Sequence, residues 1–365
     1  MLVSHSLPAI AALTWFAMSV TPADASAAQV PAALPLVYVL STGGTIAGKG
    51  ASSTNLSEYK GSTLLGSDLI AAVPEIRQYA RVEVEQVVNV SSPNMTPDVW
   101  RTLALRINAL FAENPAVAGV VITHGTSTLE ETAYFLNLTV AHDRPVVLVG
   151  AQRPATAISA DGPINLLNAV RTAAAPEARG KGVLVVMNDE INGARDVTKS
   201  NTYRLETFRS GELGFLGYVD DDKVTFYKAS TKRHTSKSEF RVTADTKFPT
   251  VEVVASYAQS STVPILALAR DGVDGIIFAS PGAGSLSDPE LAAVKEIASL
   301  QQSVKPILMR SSRTGNGRVT NRSTMDRLGL IPADNLIPQK ARILLMLALT
   351  KTREPKEIAR IFSEY

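Results

Sequence analysis

The sequence predicts an α/β protein of two domains with mostly parallel sheets, a larger N-terminal domain and a smaller C-terminal one. Three observations carry this. The chain has 365 residues, and domains run to roughly 150 residues each. Its strand-length apolar runs are hydrophobic on both faces, as strands covered by helices on each side must be. Those runs alternate with segments of helical spacing, the pattern of βαβ units. Hydrophobic residues at 45% and charged residues at 19% place the chain among globular proteins.

At the N-terminus, Leu7 to Val20 form an apolar run followed by the small residues of Thr21-Pro22-Ala23-Asp24-Ala25-Ser26-Ala27-Ala28. This is the arrangement of a secretory signal peptide over residues 1–27, although its n-region carries only His5 and no Lys or Arg. The run is shorter than the ~20 residues a bilayer requires, so a membrane partner is not expected. A periplasmic or secreted location is.

From Pro35 onward, Leu36 to Ser41, Val82 to Val88, Val117 to Thr123, Val146 to Gly150 and Val183 to Met187 read as strands. Between them Pro97 to Asn114 reads as a helix. Thr96 is its N-cap, Pro97 its first residue, and Val99, Leu103, Ile107 and Leu110 its buried stripe. Thr128 to Thr139 and Pro163 to Ala175 are similar. These elements make an N-terminal domain at 35–227. Residues 228–249 read as a linker, because Lys232-Arg233-His234-Thr235-Ser236-Lys237-Ser238-Glu239 shows no core face and suggests a solvated strap. A C-terminal domain at 250–365 follows. Its strands are Thr250 to Tyr257, Gly275 to Ala279 and Pro306 to Ser311, and its helices Val263 to Arg270, Pro289 to Leu300, Gln339 to Thr350 and Pro355 to Tyr365.

Lys and Arg number 36 against 34 Asp and Glu, so no basic field points to nucleic acid, and a small molecule is the expected partner. The absence of cysteine excludes disulfides, Cys-ligated zinc and thiol nucleophiles. With His124, His142 and His234 the only histidines beyond the leader, a histidine metal cluster is not expected.

Chemistry is concentrated where strands end, because open α/β sheets bind ligands at the carboxyl ends of their strands. The first strand runs into Ser41-Thr42-Gly43-Gly44-Thr45-Ile46-Ala47-Gly48-Lys49-Gly50. Gly43 through Lys49 nearly spells a phosphate-binding loop, but Gly50 stands where a hydroxyl should meet magnesium, and a small polar run at 51–57 replaces the required helix. What the turn offers instead is the hydroxyl of Thr45 between glycines, with Tyr59 beyond the polar run as a group that can help remove its proton. The third strand ends in Thr123-His124-Gly125-Thr126-Ser127-Thr128-Leu129-Glu130-Glu131, where Ser127 or Thr128 can equally serve as a helix N-cap paired with Glu130 or Glu131. Beyond the fifth strand, Asp196-Val197-Thr198-Lys199 supplies an amine that becomes a proton acceptor if desolvated.

At these residues the sequence resembles the bacterial periplasmic (type II) L-asparaginases and glutaminase-asparaginases, from about Leu36 to Tyr365. Ser41 to Gly48, Ile122 to Thr126, Glu131 to Leu136, Ser159-Ala160-Asp161-Gly162-Pro163 and Arg195 to Lys199 carry the resemblance. It implies hydrolysis of a side-chain amide through a covalent threonine ester, without metal or cofactor, in a homotetramer of close dimers. Position by position it makes Thr45 the nucleophile, Tyr59 its activator, Thr126 and Lys199 a second catalytic group, and Ser92 the holder of the substrate's α-carboxylate. The chain departs from the family pattern at Ser127, where a neutral hydroxyl replaces the carboxylate that pairs with the substrate's α-ammonium, and at Pro93, which replaces Gln or Glu. For the acid that a neighbouring subunit's C-terminal domain contributes, Asp326 is the candidate; for an Asn or Ser from the same domain, Ser256 or Gln259. The expected reaction is L-asparagine to L-aspartate and ammonia, with L-glutamine as a secondary substrate. The alternatives are an amidohydrolase for a different small carboxamide and a periplasmic solute-binding protein.

Overall fold

The first strand, β1 (Leu36–Ser41), is inserted between β4 (Arg81–Gln86) and β5 (Val117–Thr123), both parallel to it. The computed structural model describes residues 1–2 and 33–365, so the rest of the expected leader lies outside the described residues. Between β1 and β4 the chain makes a small antiparallel hairpin, β2 (Lys49–Gly50) with β3 (Tyr59–Lys60), and the short helix α1 (Gly66–Ala71). Then come α2 (Pro97–Glu113), α3 (Leu129–Thr139), β6 (Val146–Val149), α4 (Gly162–Ala174) and β7 (Val183–Met187), the helices alternating with parallel strands as the sequence pattern requires. Thr96 caps α2 by accepting the Val99 N–H at 3.3 Å.

Alternation along each strand divides the core into two layers. Leu40, Val146, Leu148, Val183 and Val185 point to the face covered by α2 and α3, whereas Val37, Val39, Val147, Val149, Leu184 and Val186 point to the face covered by α4. All eleven are buried, which is why these runs read as continuously apolar.

One edge of this sheet differs from expectation. After β7 come β8 (Glu190–Gly193), the hairpin β9 (Thr198–Lys199) with β10 (Phe208–Arg209), and then β11 (Gly217–Val219) and β12 (Val224–Phe226). The eight strands lie in the order β12-β11-β8-β7-β6-β5-β1-β4, and β8, β11 and β12 run antiparallel to their neighbours. β4 also stops short of Val88, because the Gln86 side-chain amide donates to the carbonyls of Ser41 and Val88.

The C-terminal sheet is four parallel strands in chain order: β13 (Val251–Ala255), β14 (Gly275–Ser280), β15 (Ile307–Ser312) and β16 (Leu330–Pro332). Between them run α5 (Val263–Asp271), α6 (Asp288–Ser299) and the short α7 (Ser323–Asp326), followed by α8 (Pro338–Leu349) and α9 (Pro355–Glu364). The helix α8 is apolar on nearly every side because Ile343, Leu344, Leu345, Met346 and Leu347 join the same buried cluster as α2 and α3. One core layer is therefore continuous across both sheets.

The segment 228–249 is not a solvated strap. His234, Thr235, Ser238, Phe240 and Val242 are buried, with Phe240 packed against Tyr365 at a ring separation of 5.1 Å. The Ser238 hydroxyl donates to the Leu138 carbonyl at 2.5 Å, and Arg233 pairs with Glu364 at 2.7 Å. Its charges hide a core contact that has no period because the segment, apart from one short 3-10 turn at Thr235–Lys237, forms no strand or α-helix.

Candidate active site

Two glycine turns meet at the carboxyl ends of β1 and β5. Gly44 has φ +90°, and a Cβ there would lie 2.3 Å from Cα and N of Gly125, so this crossing admits no side chain. The turn after β1 is held by Ser62, which accepts the Gly44 N–H at 2.7 Å and donates to the Val90 carbonyl at 2.9 Å. The β2–β3 hairpin pairs Gly50 with Tyr59 and folds the polar run at 51–58 into its loop, returning Tyr59 across 14 residues to Thr45. Their hydroxyls share a 2.7 Å hydrogen bond. Gly48 makes room for the ring, since a Cβ there would sit 2.9 Å from Tyr59 Cδ2.

The second turn places Thr126 and Ser127 ahead of α3. Thr128 occupies the N-cap position but makes no capping bond; its hydroxyl donates to the Ser92 carbonyl at 2.7 Å instead. The expected pairing of this cap with Glu130 or Glu131 is therefore not formed. Ser92 is buried beside it, its Oγ accepting the Ser127 N–H at 3.1 Å, which leaves its own proton as a donor. Behind the turn, the His124 Nδ1 lies 2.7 Å from the Gly125 carbonyl and its Nε2 2.9 Å from the Thr132 hydroxyl, which also takes the Trp100 indole N–H at 2.8 Å. A carbonyl can only accept, so Nδ1 carries the proton and Nε2 is the acceptor. Burial holds this imidazole neutral, with its pKa lowered to about 4.

Lys199 does not follow a parallel strand directly, because β8 intervenes and the residue stands in the β9–β10 hairpin opposite Phe208. Its Nζ donates to Thr126 Oγ1 at 2.8 Å. Burial lowers its pKa, and the negative charge of Glu130 opposes that shift.

Thr45, Tyr59, Thr126, Ser127 and Lys199 all line one cavity of about 840 Å³. Of the remaining sequence-predicted residues, Ser92 is buried and bonded to the Ser127 N–H but is not among the residues that line the cavity. Asp326 is exposed on α7 and outside the cavity of its own chain. Ser256 is buried and gives its hydroxyl to Glu290 at 2.6 Å, within a cluster that also holds Ser260 and Ser287, so it is not free to reach another site. Gln259 remains exposed.

Sequence reasoning missed three residues that hold the site together, of which Glu130 and Gln339 line the cavity and Ser62 braces the turn after β1. Ser62 is a serine at φ +55° with no motif around it. Glu130 was legible only as a capping residue. Gln339, at the start of α8, donates to Glu130 across 209 residues of sequence, a separation that no local pattern reveals. Among the described residues, no group of three or more His, Asp or Glu side chains is arranged to hold a metal ion.

Known proteins share both the fold and its sequence. Residues 36–232 match the asparaginase N-terminal family model, and residues 250–362 the glutaminase/asparaginase C-terminal domain. The chain is 48% identical over 332 residues to L-asparaginase 2 of Bacillus subtilis, covering 91% of this chain and 87% of that one. It is 43% identical over 361 residues to a probable periplasmic L-asparaginase of Haemophilus influenzae, covering 98% and 99%. The crystal structure of a probable cytoplasmic L-asparaginase from Campylobacter jejuni superposes with a TM-score of 0.86 at 46% identity, covering 91% of this chain and all of that one. With both family domains matched in order and the two-domain α/β architecture in common, the chain belongs to the asparaginase family of amidohydrolases.

Proposed function

We propose that this protein hydrolyses L-asparagine to L-aspartate and ammonia through an acyl-enzyme on Thr45, with L-glutamine as a secondary substrate. One observation carries the reading: two hydroxyls, each bonded to a group able to move its proton, face a single cavity. These are Thr45 with Tyr59 at 2.7 Å and Thr126 with Lys199 at 2.8 Å.

In this mechanism Thr45 Oγ1 gives up its proton through Tyr59 and forms a bond to the carboxamide carbon. The developing oxyanion is received by backbone N–H groups of the glycine turn. The C–N bond then breaks, the leaving nitrogen takes a proton and departs as ammonia, and an ester remains on Thr45. Water attacks that ester, its proton passing through the Thr126–Lys199 pair, and L-aspartate is released as Thr45 recovers its proton. No step requires a metal.

The substrate's α-carboxylate falls to Ser92, whose O–H is free to donate, and self-association into a homotetramer brings Asp326 to a neighbour's site. A periplasmic or secreted location agrees with the apolar leader and the name of the Haemophilus relative; the name of the Campylobacter structure points the other way.

A second reading is favoured by one observation. Ser127 is neutral, and the carboxylate lining the cavity, Glu130, already accepts hydrogen bonds at both oxygens. A small carboxamide without an α-ammonium needs no free carboxylate there. Ammonia release from L-asparagine, L-glutamine, D-asparagine and succinamic acid decides between them. Turnover fastest with L-asparagine supports the first reading, turnover fastest with succinamic acid the second, and binding without turnover of any of them overturns both.

A further inference from the structure

Lys199 is held at both ends by one helix start. Its Nζ donates to Thr126, and its backbone N–H donates to Glu130 Oε2 at 2.6 Å, in the first turn of α3. The other oxygen of the same carboxylate accepts the Gln339 side-chain amide at 2.6 Å, from the N-terminal turn of α8. The Glu130 side chain is 5% exposed, and its two bonds fix the orientation of its charge. Next to Gln339, the fully buried Lys340 donates its three protons to the carbonyls of Ala194, Arg195 and Val197, the segment leading into Lys199. Among the described residues that line the cavity, Glu130 is the only carboxylate and Lys199 the only cation.

We infer that Glu130 is a positioning residue for Lys199, fixing its backbone and setting the charge of its amine, and that the C-terminal lobe controls this setting through Gln339. The inference rests on the reading of Lys199 as a catalytic proton acceptor. Glu130 itself does not touch substrate, since both oxygens are occupied. The other charges facing this cluster are Glu131 on α3, Lys340 and Arg342 on α8, and Arg195 and Asp196 in the segment before Lys199. Lys340 and Arg342 are positive and Arg195 pairs with Asp196 at 3.1 Å, so Glu130 is the negative charge set directly against the amine.

A single substitution and its repair test this. In Glu130→Gln, one amide oxygen replaces two acceptors, so either the Lys199 N–H or the Gln339 amide loses its partner. The charge is lost as well. With L-asparagine as probe, kcat is expected to fall about tenfold with KM within about twofold, as for an interaction that acts on the chemical step. The rise of activity with pH moves to lower pH, because an amine without its carboxylate gives up its proton more easily. In the double variant Glu130→Gln with Gln339→Glu, the amide accepts from Lys199 and donates to the new carboxylate, restoring both bonds with the charge one residue farther away. Its kcat returns to within about threefold of the parent, and the pH midpoint lies between the other two.

A merely structural Glu130 would lower kcat and thermal stability together and leave the pH midpoint in place, which overturns the proposal. So does a double variant that folds but regains no activity. Where Glu130→Gln fails to fold, the double variant alone carries the test, and Gln339→Met, which alters no charge, is expected to lower kcat several-fold at unchanged KM; an unchanged kcat overturns the proposal. Lys199→Met keeps the two failures apart. If that variant retains turnover, the reading of Lys199 is wrong whatever Glu130 does.

Discussion

Acidification should act in opposite directions on two groups seven residues apart, the buried His124 in the second glycine turn and the partly buried Glu131 in α3. His124 titrates near 6.5 in the unfolded chain and at about 4 in the folded one, because burial disfavours its charged form. Below pH 6.5 the unfolded chain therefore binds a proton that the folded chain refuses, and stability falls until about pH 4. Glu131 is the reverse. Burial, opposed by Arg342 and Lys340 and reinforced by Glu130, raises its carboxyl from 4.5 to about 7. The folded chain keeps a proton there that the unfolded chain has lost, so stability rises as pH falls from about 7 to 4.5. At 1.36 kcal/mol per pH unit of difference, the His124 term amounts to about 3 kcal/mol, and the same figure is an upper bound for the less buried Glu131. The two largely cancel between pH 4.5 and 6.5, so single variants expose what the parent conceals. Unfolding free energies from urea titration, at one protein concentration and several pH values, should show mirror images. Relative to the parent, His124→Asn should become less destabilised on acidification by up to about 3 kcal/mol, and Glu131→Gln more so by a similar amount. Stability curves that stay parallel to the parent across this range would refute the assignment of both protonation states.

Three further substitutions carry distinct outcomes. Lys199→Met should lower kcat by orders of magnitude and remove the rise of activity with pH that tracks amine deprotonation, both read from initial rates of ammonia release. Ser127→Asp should lower KM for L-asparagine by roughly ten- to a hundredfold, the worth of one charge-assisted hydrogen bond of about 1.5–3 kcal/mol, and change little for succinamic acid, which lacks the amine. An unchanged ratio between the two substrates would mean that another group, such as a neighbour's Asp326, supplies the charge. Gly44→Ala should destabilise the fold by more than about 2 kcal/mol in a thermal or urea melt, because its Cβ would lie 2.3 Å from the Gly125 backbone at a φ of +90°.

The core of this molecule is legible in its sequence because its strands are buried on both faces. Leu36 to Ser41, Val117 to Thr123 and Val183 to Met187 fall on the observed strands residue for residue, and the long helices begin and end within about one residue of their expected bounds. What escaped is short or half-exposed. The strands Gly217–Val219 and Val224–Phe226 have too few residues to show a period, and the hairpin carrying Lys199 pairs only two residues a side. The segment at 232–242 misled for a related reason: its buried Phe240 and Val242 follow a run of charged and polar residues whose burial depends on α9 and Leu138, far away in sequence. At the site, hydroxyls beside glycines at strand ends drew attention to Thr45 and Thr126, the family resemblance supplied their expected roles, and the fold sets both on one cavity. Ser62, Glu130 and Gln339 had no such signal until the fold brought them together.

The central claim is that Thr45 becomes an ester during turnover. Enzyme mixed with L-asparagine, quenched in acid within one turnover and digested, should yield an acylated peptide containing Thr45, and Thr45→Val should yield none while folding normally and releasing no ammonia above background. Acylation of the peptide that carries Thr126, or appreciable turnover by Thr45→Val, would contradict the account.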